Sequence, residues 1–236
     1  MEHPTVLVFG EFPDPEFPTA GFLDHLAYPD VELVGFYHLG DNESVEEAQA
    51  EHEEEFTTEL RKQAERFEQR GVRADYDLIF NHDRIEVRQR IAENDEIDAI
   101  LTPGGANTLG KVLIACRHTR NAEEKAAKLL NILDRDDLIS VDLIHIADPD
   151  DPEGEVEGER LLTEVTSILT DEGIPPLQIN REVRTGEDVA LELNQAARNY
   201  DLVVLGKTEQ DVGDKVFGPV GDYIVDERGV PVLTIR

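Results

Sequence analysis

Short, nearly unbroken apolar runs alternate along this chain with longer stretches in which apolar residues recur at helical spacing. That alternation predicts strands covered on both faces, with helices between them. Val6-Leu7-Val8-Phe9 is the first run, followed by a weak helical pattern over Phe17 to Leu26 and a second strand over Val31 to Leu39. Ser44 with Glu47 three residues on has the form of a capping box, and opens a long charged helix from Val45 to Gln69 that stops at Gly71. Ala74 to Phe80 predicts a third strand. Asp83 caps a helix running to Asn94, and Ile97 to Leu101 is a fourth strand that ends at Pro103-Gly104-Gly105.

The pattern then begins again. Lys111 to Ala115 and Ile139 to Ala147 predict strands, with a helix over Asn121 to Leu133 between them. A helix over Glu155 to Asp171 ends before Gly173, a C-terminal stop signal. Strand Leu177 to Val183, helix Glu187 to Asn199 and strand Asp201 to Leu205 follow, then a glycine-bearing loop, a helix over Val220 to Asp226 and a last strand, Val230 to Ile235. The two series repeat with an offset of about 105 residues. They divide the chain into halves, residues 1–108 and 109–236. The first half lacks the fourth helix and fifth strand of the second, so its smaller core should lean on its neighbour. The repeat also sets His38 opposite His145 at matching strand ends, where they would flank a site or serve as core or edge histidines.

Composition narrows the function. Asp and Glu total 53 against 22 Lys and Arg, a net charge of -31 over 236 residues. Such a surface repels nucleic-acid phosphates and anionic lipid, which argues against nucleic acid as a partner. The acid is spread along the whole length, and only 6 of the basic residues are Lys. We read this as a surface kept soluble in very high salt, as in a haloarchaeon, where screening removes self-repulsion. The lone Cys116 sits in the apolar run Val112 to Cys116, which predicts a buried structural thiol. The N-terminus has no signal-peptide pattern and no run is long enough to span a membrane, so a cytoplasmic protein is expected. No HExxH, GxSxG or other catalytic or metal-ligand spacing occurs in the chain, and no enzymatic activity is expected.

The final segment, DLVVLGKTEQDVGDKVFGPVGDYIVDERGVPVLTIR, resembles the end of a universal stress protein domain. That family has a strand ending in Gly, a loop, a Gly before the last helix and a Pro-Val-Leu strand. Here these are Gly206, Gly218 and Val230-Pro231-Val232-Leu233. The order of elements matches across the second half, and a shortened version matches the first. The resemblance implies an α/β fold of two universal-stress-protein-like (adenine nucleotide alpha hydrolase-like) domains with mostly parallel sheets, the first truncated. It implies a regulatory, stress-response role, with ATP or AMP as ligand where the glycine loop is intact.

The loop here is degenerate. The second glycine of the family's Gly-x-x-Gly is Glu209, and Pro219 replaces the Ser or Thr that follows the last glycine. Proline supplies neither a hydroxyl nor an N–H to an anion. The nucleotide-binding candidates are Gly206, Lys207, Gly218, Val220, Arg117 and Thr119. Arg117, like Glu11 in the first half, falls where the family places an Asp near the nucleotide. It would pair with a phosphate or form a surface ion pair. Thr119 would also serve as a helix cap, and Lys207-Thr208 has the look of a phosphate loop's Lys-Thr without the rest of that loop. In the first half Pro103 to Asn107 reads as a turn and linker. The resemblance further implies a homodimer paired through the C-terminal strand, and a kinship with the soluble regulatory tails of membrane transporters.

Overall fold

The computed structural model describes residues 3–27, 29–118, 122–206 and 219–236. The first half contributes β1 (Thr5–Phe12), α1 (Ala20–Leu23), β2 (Asp30–His38), α2 (Val45–Glu68), β3 (Ala74–Asn81), α3 (Arg84–Ala92) and β4 (Ala99–Thr102). The second contributes β5 (Lys111–Ala115), α4 (Ala122–Ile132), β6 (Ser140–Ala147), α5 (Gly154–Asp171), β7 (Ile179–Thr185), α6 (Val189–Ala197), β8 (Leu202–Gly206), α7 (Pro219–Arg228) and β9 (Val232–Ile235). No helix or strand lies between β4 and β5, so the first half is shortened as the repeat predicts.

Local chemistry sets the element ends. Ser44 Oγ accepts from the Glu47 N–H while Glu47 accepts from the Ser44 N–H, each at 3.2 Å, and this completes the capping box of α2. The Asp83 carboxylate caps α3, and Asp188 caps α6. The predicted helix over Phe17 to Leu26 shrinks to the single turn of α1, because Thr19 caps it at Ala20 and Leu26 leaves it to bridge Leu133. Strand β7 starts at Ile179 rather than Leu177. A 3-10 turn occupies Pro176–Gln178 and leaves Leu177 99% exposed.

Among the described residues all strands join one nine-stranded sheet in the order β3-β2-β1-β4-β9-β8-β5-β6-β7. This corrects the expectation of a sheet for each half. Within each half the pairing is parallel, and the halves meet where β4 runs antiparallel to β9, Ala99 opposite Ile235 and Thr102 opposite Val232. Strand β9 thus has both edges occupied, by β8 and by β4. The C-terminal strand expected to pair with a second chain is internal, because it fills the place of the fifth strand missing from the first half. The outer edges of the sheet are β3 and β7. Their charged side chains, Asp75 and Asp77 on one and Arg181, Glu182 and Arg184 on the other, disfavour further strand addition.

Helices cover both faces. Side chains of α1, α2, α4 and α5 pack with the sheet into one core continuous between the halves, from Val6 to Ile235. On the other face α3 covers the first half, and α6 and α7 cover the second, over separate cores. The junction is further tied by the Arg236 N–H to Asp98 O (2.9 Å), by Lys128 Nζ to Asp98 (3.1 Å) and by the Gly105 N–H to Gly229 O (2.7 Å). Gly104 has no alternative there: a Cβ would meet Gly229 O and Pro231 N at 2.6 Å. Among the described residues no helix is long and apolar enough to cross a membrane.

Candidate functional site

The chain runs outward from β5 to β6 and β7, then returns to β8 on the other side of β5. Such a reversal leaves a crevice beyond the carboxyl ends of the strands. In the second half it is a cleft of about 730 Å³ on the α6–α7 face. Arg117 follows β5, Ile146 and Asp148 come from the end of β6, Glu187 precedes α6, Gly206 ends β8 and Val220 lies in the first turn of α7. Three sequence candidates, Arg117, Gly206 and Val220, therefore share one cleft. Lys207, Gly218 and Thr119 lie outside the described residues, as do Thr208 and Glu209.

The sequence reading missed the acidic wall. Asp148, Asp150 and Glu187 all line the cleft. In the sequence they are indistinguishable from the acid of the surface; only the return of the chain to β8 brings them opposite Arg117. The cleft floor is apolar, from Ile144, Ile146 and Leu193. Together these groups can seat a flat apolar ring, accept hydrogen bonds from hydroxyl or amine donors, and meet one anionic charge with the guanidinium.

Register alters the expected equivalence of the histidines. Val6 lies opposite Val31, and its counterpart Val112 lies opposite Val141. Four residues further on, His145 therefore matches Gly35, not His38. His145 is half-buried; its Nδ1 is 2.9 Å from Cys116 O, and its ring packs on α5, where a Cβ on Gly158 would approach it to 2.6 Å. At Gly35 the bulk comes from the other side, since a Cβ there would lie 2.8 Å from Leu60 and Phe12. His38 is exposed at the end of β2. His145 lines the cleft and His38 does not, so the two are not a matched pair.

Cys116 is half-buried, rather than fully buried as expected, and the burial it has pushes its thiol up to about 12. A thiol held that far above neutral pH is no nucleophile. Among the described residues no group of three or more His, Cys, Asp or Glu side chains is placed to hold a metal ion.

The corresponding ground in the first half is occupied. Glu11 matches Arg117, and Arg84 at the start of α3 holds its carboxylate at 2.6 Å, with Arg88 at 3.7 Å. Arg88 also lies 5.9 Å over the Phe9 ring. The charges are reversed relative to the second half, where the strand supplies the cation and the approach to α6 supplies acid.

No protein-family model matches the sequence, and no curated protein matches it. Solved structures do. The chain superposes on a universal stress protein from Archaeoglobus fulgidus DSM 4304 with a TM-score of 0.60 at 13% identity, covering 98% of each chain. A second universal stress protein from Archaeoglobus fulgidus matches 54% of this chain and 98% of its own, at 17% identity and a TM-score of 0.42. A universal stress protein family protein from Arabidopsis thaliana, solved with AMP bound, matches 53% of this chain and 90% of its own, at 20% identity and a TM-score of 0.37. The full-length superposition shows that this chain has the universal stress protein fold.

Proposed function

We propose that this is a non-catalytic regulatory protein whose second half binds AMP in preference to ATP, while the first half serves as its structural mate. The observation that carries this reading is the open cleft of about 730 Å³ at the strand reversal, a volume suited to a small-molecule ligand. The apolar floor would take the adenine ring, and the acidic wall would accept from the ribose hydroxyls. One guanidinium facing three carboxylates favours a single phosphate over three, since each added phosphate brings more charge against the acid. Glu209 and Pro219 in the loop sequence push in the same direction, by adding a carboxylate and removing an N–H donor. The raised Cys116 thiol and the absence of catalytic spacings in the sequence support a role without turnover.

Calorimetry in multimolar KCl tests this. AMP should give saturable heat, ATP should bind about tenfold more weakly or worse, and no ADP should accumulate. Val189→Trp, at a half-exposed position on the cleft wall, should abolish the AMP heat with the fold intact. Absence of AMP binding in the native chain, or steady ATP hydrolysis, would refute the reading.

A further inference from the structure

On the opposite face of the sheet from the cleft, a smaller cavity of about 100 Å³ opens between β5, β8 and helices α4 and α5. Its lining is almost wholly apolar, from Cys116, Ala126, Leu129, Val165, Leu169 and Ile235. Its rim is not: Arg117, His118 and Lys125 border the opening, and Lys125 Nζ lies 3.4 Å from where a Cβ on Gly206 would stand. In a chain with a net charge of -31, this grouping of basic side chains around an apolar hole is a local reversal of the surface.

The first half shows what fills such a space when nothing else is to occupy it. Gly10 matches Cys116, and a Cβ there would meet Pro15 at 3.1 Å and the Phe17 ring at 3.2 Å. The chain after β1 folds back and packs its own side chains under the strand end. The second half keeps the space open.

We propose that this cavity is a second binding site, for a short linear aliphatic carboxylate, with the hydrocarbon between α4 and α5 and the carboxylate at the Arg117–Lys125 rim. The cavity is somewhat smaller than the ~150 Å³ apolar cavity known to hold benzene, so it takes a run of about four to six carbons. The apolar lining excludes polar ligands, and the cationic rim distinguishes an acid from an alcohol of the same length. The proposal does not rest on nucleotide binding in the cleft, but the two openings share Ala115, Cys116, Arg117, Leu205 and Gly206, so a carboxylate and a phosphate bound together would compete for the Arg117 guanidinium.

The test is calorimetry of the full chain in multimolar KCl with hexanoate, and with 1-hexanol as the neutral match. Hexanoate should bind saturably, about tenfold more tightly than hexanol. Ala126→Phe and Val165→Phe each add bulk to lining residues that the cleft does not share, and should weaken hexanoate by about fivefold or more, with AMP heat unchanged. Lys125→Gln should bring hexanoate down towards hexanol and leave hexanol as it was. The proposal fails if the native chain shows no saturable hexanoate binding, if hexanol binds as tightly, or if a folded cavity-filling variant binds hexanoate as well as the native chain does.

Discussion

At the same place on the same fold, the first half carries Glu11 clasped by Arg84 and Arg88, and the second carries Arg117 across an open cleft from Asp148, Asp150 and Glu187. Beneath the matching strand ends, Pro15 and Phe17 pack against Gly10, while a cavity lies beside Cys116. At these two positions the first copy is filled by its own side chains and the second is open; the open groove of the first copy, about 860 Å³, lies instead between Phe12–Pro15 and α2. The closed copy is also the one that lacks a fifth strand and borrows the edge of β9. The first half uses its strand ends for internal ion pairs and packing, which offsets the smaller core left by its missing elements. The complete half can leave its strand ends vacant, because α6, α7 and β9 supply its core.

If β9 is common to both halves, breaking it should unfold both. Leu233 is 1% exposed, opposite Leu101 of β4 and Val204 of β8. Leu233→Asp should cost about 4–5 kcal/mol or more, because it buries an unpaired charge. Guanidinium unfolding of this variant should remain one transition. Two separated transitions, with the first half surviving, would show that the halves stand alone.

A smaller effect tests the register. Gly158→Leu drives a side chain into His145 and should destabilise by about 1–3 kcal/mol. Adding His145→Gly should return most of that loss, since it recreates the first half's arrangement of Gly35 beneath Leu60. Simple additivity of the two losses would count against the equivalence.

The Glu11 pair is half-exposed, so Glu11→Gln should cost no more than about 1 kcal/mol, and less as KCl rises. It should nevertheless loosen the closed site, seen as faster hydrogen exchange at the start of α3. Unchanged exchange there would argue that packing alone keeps the first copy shut.

Near neutral pH the smallest effect belongs to Cys116. Its thiol is raised in the folded state from 9.0 to about 12, so the folded chain keeps a proton that the unfolded chain releases. Stability from this group is complete below about pH 9 and declines as pH rises towards 12. A Cys116→Ala variant should lose that alkaline slope. Iodoacetamide at pH 8 should label the native thiol far more slowly than the unfolded one.

Much of this molecule is legible in one dimension. The alternation of apolar runs with helical stripes is a local property, so it placed nearly every strand and helix. Ser44, Glu47 and Asp83 sit within one helical turn of the backbone groups they cap, so those ends were readable too. The exceptions were short: a Thr cap and a cross-bridge cut α1 to one turn, and a 3-10 turn delayed β7. The missing helix and strand of the first half were visible as a gap in the repeat.

Other features have no local signature. That β9 serves two neighbours depends on a hydrogen-bonding edge left vacant about 130 residues earlier along the chain. That His145 answers Gly35 depends on strand register, which alignment by residue type misplaced. The acids facing Arg117 carry the same side chains as dozens of acids on the surface, and only the reversal of the chain at β5 brings them into a cleft. Periodicity and capping act between near neighbours and can be read in order. Edges, register and cavities arise between residues far apart, and only the folded chain decides them.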